Sequence, residues 1–503
     1  MLTSTSRWYA LAAMALSTLA VGLDTTVLSV ALPTLARDLD ASTGDLQWFT
    51  TAYLLVLAAA LLPAGLLGDR LGRKRMLIGA LVLFGAASVA CAYAQTSAQL
   101  IGARAVLGLG AAVIMPLSGA VLTTLFDARE RARAMSIWVT ASALGIPLGP
   151  LLGGWLLDNF WWGSVFLINV PVVVAGVIAL AVWLPSSRGE SARLDLPGIV
   201  LSTAGLVAVT YGIIEAGSRG WSDVRSLVTM AAGVVLLAGF VLWQRRASSP
   251  LVDLALFRNR AFTGGAVLAT VASFAMLGLL FSLPQLFSAV GGEDAFGSGI
   301  RLLPVIGGLL VGARVGEKLA SALGARVVIA GGLALIAVAS LLGARTSATT
   351  GYGYIAVWIT LTGIGLGLTM PPALAAAIGA LSPARAGIGN ALLQALRQVG
   401  GAIGVAVLGT VLNSAYRSHV DVAGLPAAAA SAVRESVTAG VAVAAQTGSD
   451  GLGASVREAF AYGMDRSLIV AGVLAAVGAV LALVLMPARP AEAQPEVLAE
   501  SLV

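Results

Sequence analysis

Apolar stretches long enough to cross a bilayer as helices recur along the whole 503-residue chain, since one span needs about 20 residues. Only 11% of the residues are charged, whereas soluble domains carry about 25%, so a chain of this size could not cover its surface in water. The sequence therefore predicts an all-α membrane protein with 14 transmembrane helices. We place the spans near 8–32, 47–67, 76–95, 99–125, 134–157, 164–184, 196–216, 226–243, 262–288, 300–317, 325–344, 351–376, 386–413 and 462–486.

The basic residues predict the orientation of these helices. With the N-terminus in the cytoplasm, cytoplasmic segments hold about twice as many arginines and lysines as outer segments, as the positive-inside rule requires. The first span is too long for a cleaved signal peptide, whose apolar region has about 7–15 residues, and an even number of spans places both termini in the cytoplasm. Lysine occurs only at Lys74 and Lys318, which is typical of GC-rich bacterial genes. We expect a multi-pass protein of the bacterial inner (cell) membrane.

The sequence excludes several kinds of chemistry. A phosphate-binding loop needs a lysine followed by Ser or Thr, and neither lysine has that neighbour. One cysteine, Cys91, and one histidine, His419, cannot build a disulfide framework, a zinc cluster or a Ser-His or Cys-His triad. The net charge of +6 is what basic cytoplasmic loops produce and does not indicate nucleic acid. We predict a protein that is not an enzyme and has no cofactor or metal, so any transport must run on an ion or substrate gradient.

Asp24 lies inside the first span, where a carboxylate costs several kcal/mol and usually marks an ion or substrate path. Ala13, Ser17, Ala20 and Asp24 share one narrow helix face of small or polar residues. One interpretation is a proton-accepting carboxylate on a transport path. The alternative is a buried carboxylate that only pairs with an arginine to hold the bundle.

Arg104, in the fourth span, is the natural partner of Asp24. With a rise of about 1.5 Å per residue, the two residues lie within about 6 Å of the same depth, and a long arginine side chain can cover that offset. The alternative is an arginine that reaches outward to the lipid headgroups.

Two glycine-rich segments carry further signals. The loop from Gly65 to Arg75 contains glycines that let two helices meet closely and Asp69, which can cap the next helix, although a solvated basic loop has the same composition. In the fifth span Gly145, Gly149 and Gly153 are spaced four apart. They form a groove that neighbouring prolines can bend.

Four segments in order resemble the motifs of the major facilitator superfamily, specifically its fourteen-helix drug:proton antiporter branch. They are the segment around Asp24, the loop from Gly65 to Arg75, the fourth-span segment from Arg104 to Gly110, and the segment from Gly145 to Gly154. Phe166 to Pro171 and Asp195 to Gly198 are also typical of the branch. The resemblance extends over nearly the whole chain.

The resemblance implies the major facilitator fold, with two six-helix bundles and two extra central helices. The expected division is an N-terminal bundle at 1–184, two linking helices at 185–260, a C-terminal bundle at 261–486 with an outer loop at 414–461, and a disordered cytoplasmic tail at 487–503. A substrate cavity between the bundles would open alternately to each side of the membrane.

The resemblance also implies residue roles. Asp24 and Arg104 would couple transport to protons. The gating residues would be Gly65, Asp69, Arg70, Gly72, Arg73, Gly145, Gly149, Pro150 and Gly154. The sequence departs from the pattern in a faded second copy of the loop, where Gly324 stands in the place of Gly72 but Ser321 in the place of Asp69. Because spans 9–13 hold no acidic residue in their middles, proton coupling would depend mainly on Asp24.

Polar, aromatic and methionine side chains inside the spans are the candidates for substrate binding. Asn390, Gln394 and Arg397 form one polar stripe on the thirteenth span, which either lines the cavity or joins helices. The other candidates, whose surfaces suit amphiphilic ligands but also suit helix packing, are Gln47, Trp48, Thr51, Tyr211, Met276, Phe281 and Gln285. Arg397 favours neutral or zwitterionic substrates, or cations that compete with the proton at Asp24.

The leading prediction is proton-coupled efflux (antiport) of amphiphilic drugs or antibiotics by alternating access. The protein would act as a monomer whose partners are small-molecule substrates, protons and the lipid bilayer. The alternatives are a proton-independent or importing metabolite carrier of the same fold, and a membrane receptor that does not transport.

Overall fold

The computed structural model describes residues 4–126, 128–185, 194–381 and 383–487, and these residues are almost entirely helical. The tail predicted to be disordered lies outside the described residues, apart from Pro487. A 3-10 helix covers Leu254–Arg258 and a π-helical turn covers Leu286–Val290. The α-helices are α1 (Ser4–Asp38), α2 (Thr43–Leu71), α3 (Arg73–Ala92), α4 (Ser97–Leu125), α5 (Ala128–Asn159), α6 (Ser164–Leu167), α7 (Asn169–Trp183), α8 (Leu196–Arg219), α9 (Val224–Gln244), α10 (Arg260–Gln285), α11 (Ala295–Arg301), α12 (Leu303–Leu323), α13 (Ala325–Gly343), α14 (Tyr352–Gly379), α15 (Pro383–His419), α16 (Ala427–Glu435), α17 (Val437–Thr447) and α18 (Asp450–Leu485).

The membrane-spanning helices agree in number with the predicted spans. In the described part of the chain, 13 helical segments are long and apolar enough to cross a membrane. Three of them combine adjacent elements: α6 with α7, α11 with α12, and α10 with the π-helical turn. α5, with 32 residues, is about 48 Å long and packs beside α1, which makes it the fourteenth. The prediction of an all-α membrane protein with about fourteen spans is confirmed.

The helices run back and forth between two ends of the molecule, named here the Ser4 face, where α1 begins, and the Asp38 face, where it ends. At the Asp38 face Ser42 starts α2 with a capping box, because its hydroxyl accepts from the Asp45 N–H while the Asp45 carboxylate accepts from the Ser42 N–H. At the Ser4 face the α2–α3 and α12–α13 turns each pass through a glycine with positive φ, +105° at Gly72 and +86° at Gly324. A side chain is strained in that backbone conformation, so both copies of the loop require glycine there.

The linking helices α8 and α9 are held together by one buried carboxylate at the Ser4 face. Asp195 accepts hydrogen bonds from the Trp243 indole at 2.7 Å, the Gln244 amide at 2.6 Å, and the Gly198 and Leu251 N–H groups at 3.0 and 3.3 Å. Burial opposes ionisation of this carboxyl, but the four donors outweigh it and hold its pKa below its usual range. Asp195 therefore fixes α8, α9 and the segment that leads to α10 in one arrangement.

Residues 420–449, named here the cap, cover part of the Asp38 face. The cap contains α16 and α17, and it is shorter than the expected outer loop at 414–461 because α15 continues to His419 and α18 already begins at Asp450. The Tyr416 hydroxyl of α15 donates to the Val433 carbonyl at 2.7 Å, and the Thr43 hydroxyl of α2 donates to the Glu435 carbonyl at 2.9 Å. The cap thus contacts both the first and the second half of the chain.

Candidate functional site

A buried ion pair joins the central part of α1 to the first third of α4. The Arg104 guanidinium lies 2.5 Å from the Asp24 carboxylate, and the two residues are 1% and 0% exposed. The Arg104 Nε donates to the Phe49 carbonyl of α2 at 3.0 Å, and the guanidinium carbon lies 4.5 Å from the centre of the Tyr53 ring. The sequence-predicted partners therefore meet, and Arg104 does not reach toward the lipid headgroups.

Two further groups lie beside the ion pair. Asn169 belongs to the segment from Phe166 to Pro171 but had no role assigned from the sequence, and Tyr53 was not a sequence candidate. The Asn169 amide of α7 donates to Asp24 at 3.5 Å and to the Ser88 hydroxyl of α3 at 3.3 Å. The Tyr53 hydroxyl is fully buried and has no hydrogen-bond partner among the described residues. The available signal for Asn169 was an amide inside an otherwise apolar span.

The glycines of α5 bring its backbone against α1, directly beside Asp24. A Cβ on Gly145 would lie 2.7 Å from the Gly22 carbonyl carbon, and one on Gly149 would lie 3.0 Å from the Val27 nitrogen. The Thr26 hydroxyl donates across the contact to the Gly145 carbonyl at 3.0 Å. The predicted groove exists, and it holds the segment of α1 that carries the carboxylate.

The next turns of α5 contact α11, which belongs to the second half of the chain. A Cβ on Gly154 would lie 2.6 Å from the Phe296 Cα, and the Pro150 carbonyl lies against Gly299. The Asp158 carboxylate accepts from the Ala295 N–H at 3.2 Å and the Phe296 N–H at 3.0 Å, at the start of α11. A carboxylate is favourable at that end of a helix because free N–H groups point toward it. Pro150 and Gly154 therefore belong to a contact between the two halves.

A second contact between the halves joins α2 to α15. The Gln47 amide donates to the Val405 and Ala406 carbonyls at 3.1 and 2.9 Å, and its side chain fits against Gly409. Within the described residues, the hydrogen bonds that link 4–184 to 260–486 come from Gln47, Asp158 and the Thr43 bond to the cap. All of them lie toward the Asp38 face, so the structure is closed at that face.

The hydrogen bonds between the two halves named above do not involve the loop motif at the Ser4 face. A Cβ on Gly65 would meet nothing within 4 Å, and Arg70 is exposed. Arg73 donates to the Ala120 carbonyl of α4 at 3.5 Å. The side chain of Asp69 lies outside the described residues, so its predicted gating role stays a prediction.

The substrate-binding candidates do not form one cluster. Trp48 and Tyr211 have ring centroids 6.2 Å apart, between α2 and α8, and Tyr211 is exposed. Phe281 is buried against Gly409. Gln285 and Thr51 form hydrogen bonds only within their own helices in the described structure, and Met276 packs at the edge of the hydrophobic core.

Two of the three residues in the polar stripe of α15, Gln394 and Arg397, contact each other. The Arg397 guanidinium donates to the Gln394 side-chain carbonyl at 2.6 Å, and its Nε lies 3.5 Å from the Ser273 hydroxyl of α10. Asn390 is exposed. Of two carboxylates near the ends of spans, Glu215 pairs with Arg219 on its own helix and Asp465 is half-buried.

The α2–α3 and α12–α13 hairpins repeat the same glycine turn. Together with the buried charge pair on α1 and α4 and the glycine groove beside it, they define a multi-pass membrane transporter. Residues 14–405 match the family model of the Major Facilitator Superfamily, and the chain belongs to that superfamily. It is 34% identical to the "Tetracenomycin C resistance and export protein" of Streptomyces glaucescens, covering 97% of this chain and 93% of the relative. It is 33% identical to "Multidrug efflux pump LfrA" of Mycolicibacterium smegmatis, covering 94% and 95%.

The fold is shared with solved structures of more distant transporters. A bacterial homolog of the human lysosomal transporter Spinster superposes with a TM-score of 0.69 at 16% identity, covering 96% of this chain and 97% of that chain. A D-xylose-proton symporter gives a TM-score of 0.61 at 15% identity, covering 95% and 98%. At these identities the comparison establishes the fold alone.

Proposed function

We propose that this protein exports amphiphilic drugs or antibiotics across the bacterial inner membrane in exchange for protons, with both termini in the cytoplasm. The observation that carries the proposal is the Asp24–Arg104 pair, a titratable carboxylate held in a fully buried site. The export and efflux functions in the names of the relatives support the direction of transport. In this orientation the Asp38 face is extracytoplasmic, and the structure represents the state that faces the cytoplasm.

Protonation of Asp24 would change the contact between α1 and the rest of the first half. The ionised carboxylate is held by Arg104 and Asn169. A proton on Asp24 removes the charge that Arg104 needs as its partner, and an unpaired buried charge costs about 3–5 kcal/mol. The pair would therefore rearrange, and α1 would move with Asp24.

Movement of α1 would be transmitted through α5 to the contacts that close the Asp38 face. One side of α5 holds α1 through Gly145 and Gly149, and the next turns hold α11 through Pro150 and Gly154. A proton taken up at the outer side would be carried inward as the empty carrier returns to the state seen here. Release of that proton to the cytoplasm would restore the ion pair as substrate loads, so one gradient drives export.

The test uses purified protein in liposomes that contain a pH dye, under an imposed proton gradient. Substrate-triggered proton flux is expected in the wild type and at least a tenfold loss in Asp24→Asn. The matched control is Asp421→Asn, which removes an exposed carboxylate in the cap. Normal flux in Asp24→Asn would refute the coupling, and substrate transport that ignores the proton gradient would favour the proton-independent carrier.

A further inference from the structure

Arg397 is a cation inside a transmembrane helix without a carboxylate partner. The ion pairs in the described part of the chain involve other residues. Its contacts are the neutral Gln394 carbonyl and Ser273 hydroxyl. Charged side chains inside a span are costly and normally pair with each other or line a water-filled path. Arg104 satisfies the first condition, and Arg397 does not.

Arg397 lies where α15 contacts α10. Its side chain is half-buried, and its Nε lies 3.5 Å from the Ser273 hydroxyl of α10. A half-buried guanidinium without a charge partner can be reached by a ligand that lies along α10 and α15.

Arg397 lies on the Ser4 side of the contacts that close the Asp38 face. Along α15, it is about two turns, or 12 Å, from the Val405 carbonyl that accepts from Gln47. Along α2, the two groups that contact Arg104, the Phe49 carbonyl and the Tyr53 ring, are about 3 and 9 Å from Gln47 in the same direction. Arg397 and the Asp24–Arg104 pair therefore lie on the same side of those contacts, in opposite halves of the chain.

The buried charges of the two halves are not balanced alike. Asp24 is neutralised by Arg104, whereas the Arg397 guanidinium has no ion-pair partner among the described residues. Its donors form a planar fork that matches a carboxylate. Since arginine can only donate, the Gln394 atom that it contacts is the carbonyl oxygen, and the Gln394 NH₂ remains available to a second oxygen.

We infer that Arg397 and Gln394 bind an acidic group of the substrate, so that the preferred substrates are amphiphiles carrying a carboxylate. This inference rests on the proposed function and names its substrate class, whereas the sequence favoured neutral or zwitterionic substrates, or cations that compete with the proton at Asp24. The substrate anion supplies the charge partner that the described residues do not provide. Its apolar part lies against the apolar residues of α10 and α15.

The test compares two fluorescent probes that differ in one charge, pyrenebutyrate and its methyl ester. Binding to protein in nanodiscs is measured for the wild type, Arg397→Gln, Arg397→Lys and the control Arg345→Gln, an exposed arginine. We expect Arg397→Gln to weaken the acid at least tenfold and the ester less than threefold. Arg397→Lys should retain part of the preference, and Arg345→Gln all of it. Comparing each probe across variants cancels its partition into lipid.

A pH series on the wild type gives a second readout that needs no variant. Affinity for the acid should fall as the probe itself becomes protonated, while affinity for the ester stays constant. Equal losses of both probes in Arg397→Gln, unchanged acid binding, or no wild-type binding of the acid would overturn the inference. Acid binding through Arg397 without proton flux would refute only the coupling. Flux that needs Asp24 but not Arg397 would refute only the anion site.

Discussion

Substitution of Gly149 by alanine tests the contact that links the ion pair to the closed face. The added Cβ would lie 2.9 Å from the Thr26 Cβ and 3.0 Å from the Val27 nitrogen. Backbone atoms cannot rotate away, so α1 and α5 must move apart by several tenths of an ångström. The Thr26 hydroxyl must also turn, which removes its bond to the Gly145 carbonyl.

The expected cost follows from three contributions. Overpacking of this kind costs about 1–3 kcal/mol, and the lost hydrogen bond costs about 1 kcal/mol. Alanine is more favourable than glycine in a helix by about 0.5–1 kcal/mol. The net loss in the free energy of unfolding is about 2 kcal/mol.

Reversible unfolding by SDS in mixed micelles, followed by far-ultraviolet circular dichroism, measures this loss. The control is Gly102→Ala on α4, where an added Cβ meets nothing within 4 Å and alanine should stabilise by about 0.5–1 kcal/mol. The two variants should therefore differ by about 3 kcal/mol. Equal stabilities would show that α1 and α5 do not approach as closely as described.

Two further predictions concern carboxylates. Hydrogen bonds lower the pKa of Asp195 in the folded protein below 3.8, so its contribution to stability is complete above the unfolded pKa and is lost as the pH falls through the folded value. Asp195→Asn should destabilise the protein by about 2 kcal/mol at pH 7, and its free energy of unfolding should fall less than that of the wild type in a denaturation series from about pH 5 downward. An equal fall in the wild type and the variant would contradict this. Asp158→Asn removes the charge at the start of α11, at a cost of about 1 kcal/mol. The variant should favour the state open at the Asp38 face by about fivefold, measured as faster maleimide labelling of a cysteine introduced at Ala295. Unchanged labelling would contradict this.

The fold could be predicted because lipid imposes a minimum length on every apolar helix. Span number and order follow from that length alone. The helix ends are different, because polar and alanine-rich residues can continue a helix beyond the apolar core. α18 begins at Asp450 rather than near 462 for this reason, and α1 runs on to Asp38.

The site could be predicted only in part, because inside a membrane a charged residue needs a partner far more than a neutral one does. Asp24 and Arg104 have opposite charges at similar depth, and the cost of a buried charge makes their pairing nearly obligatory. Asn169 and Tyr53 carry no such cost, and their role depends on the rotation of α7 and α2 about their axes. The rotation of α8 about its axis likewise places Tyr211 on an exposed surface, although its aromatic side chain made it a binding candidate from the sequence.

The cap has a consequence for the rate of the transport cycle. Both helices that lead into it, α15 and α18, belong to the second half of the chain, whereas Thr43 belongs to the first. Opening the Asp38 face must break the Thr43 bond and withdraw Val433 and Val437, both buried, from the shared core. Each Å² of apolar surface exposed in this way costs about 25 cal/mol. In the proposed transport cycle, the apolar residues of the cap therefore add to the free-energy cost of opening the Asp38 face, and they do so in every cycle.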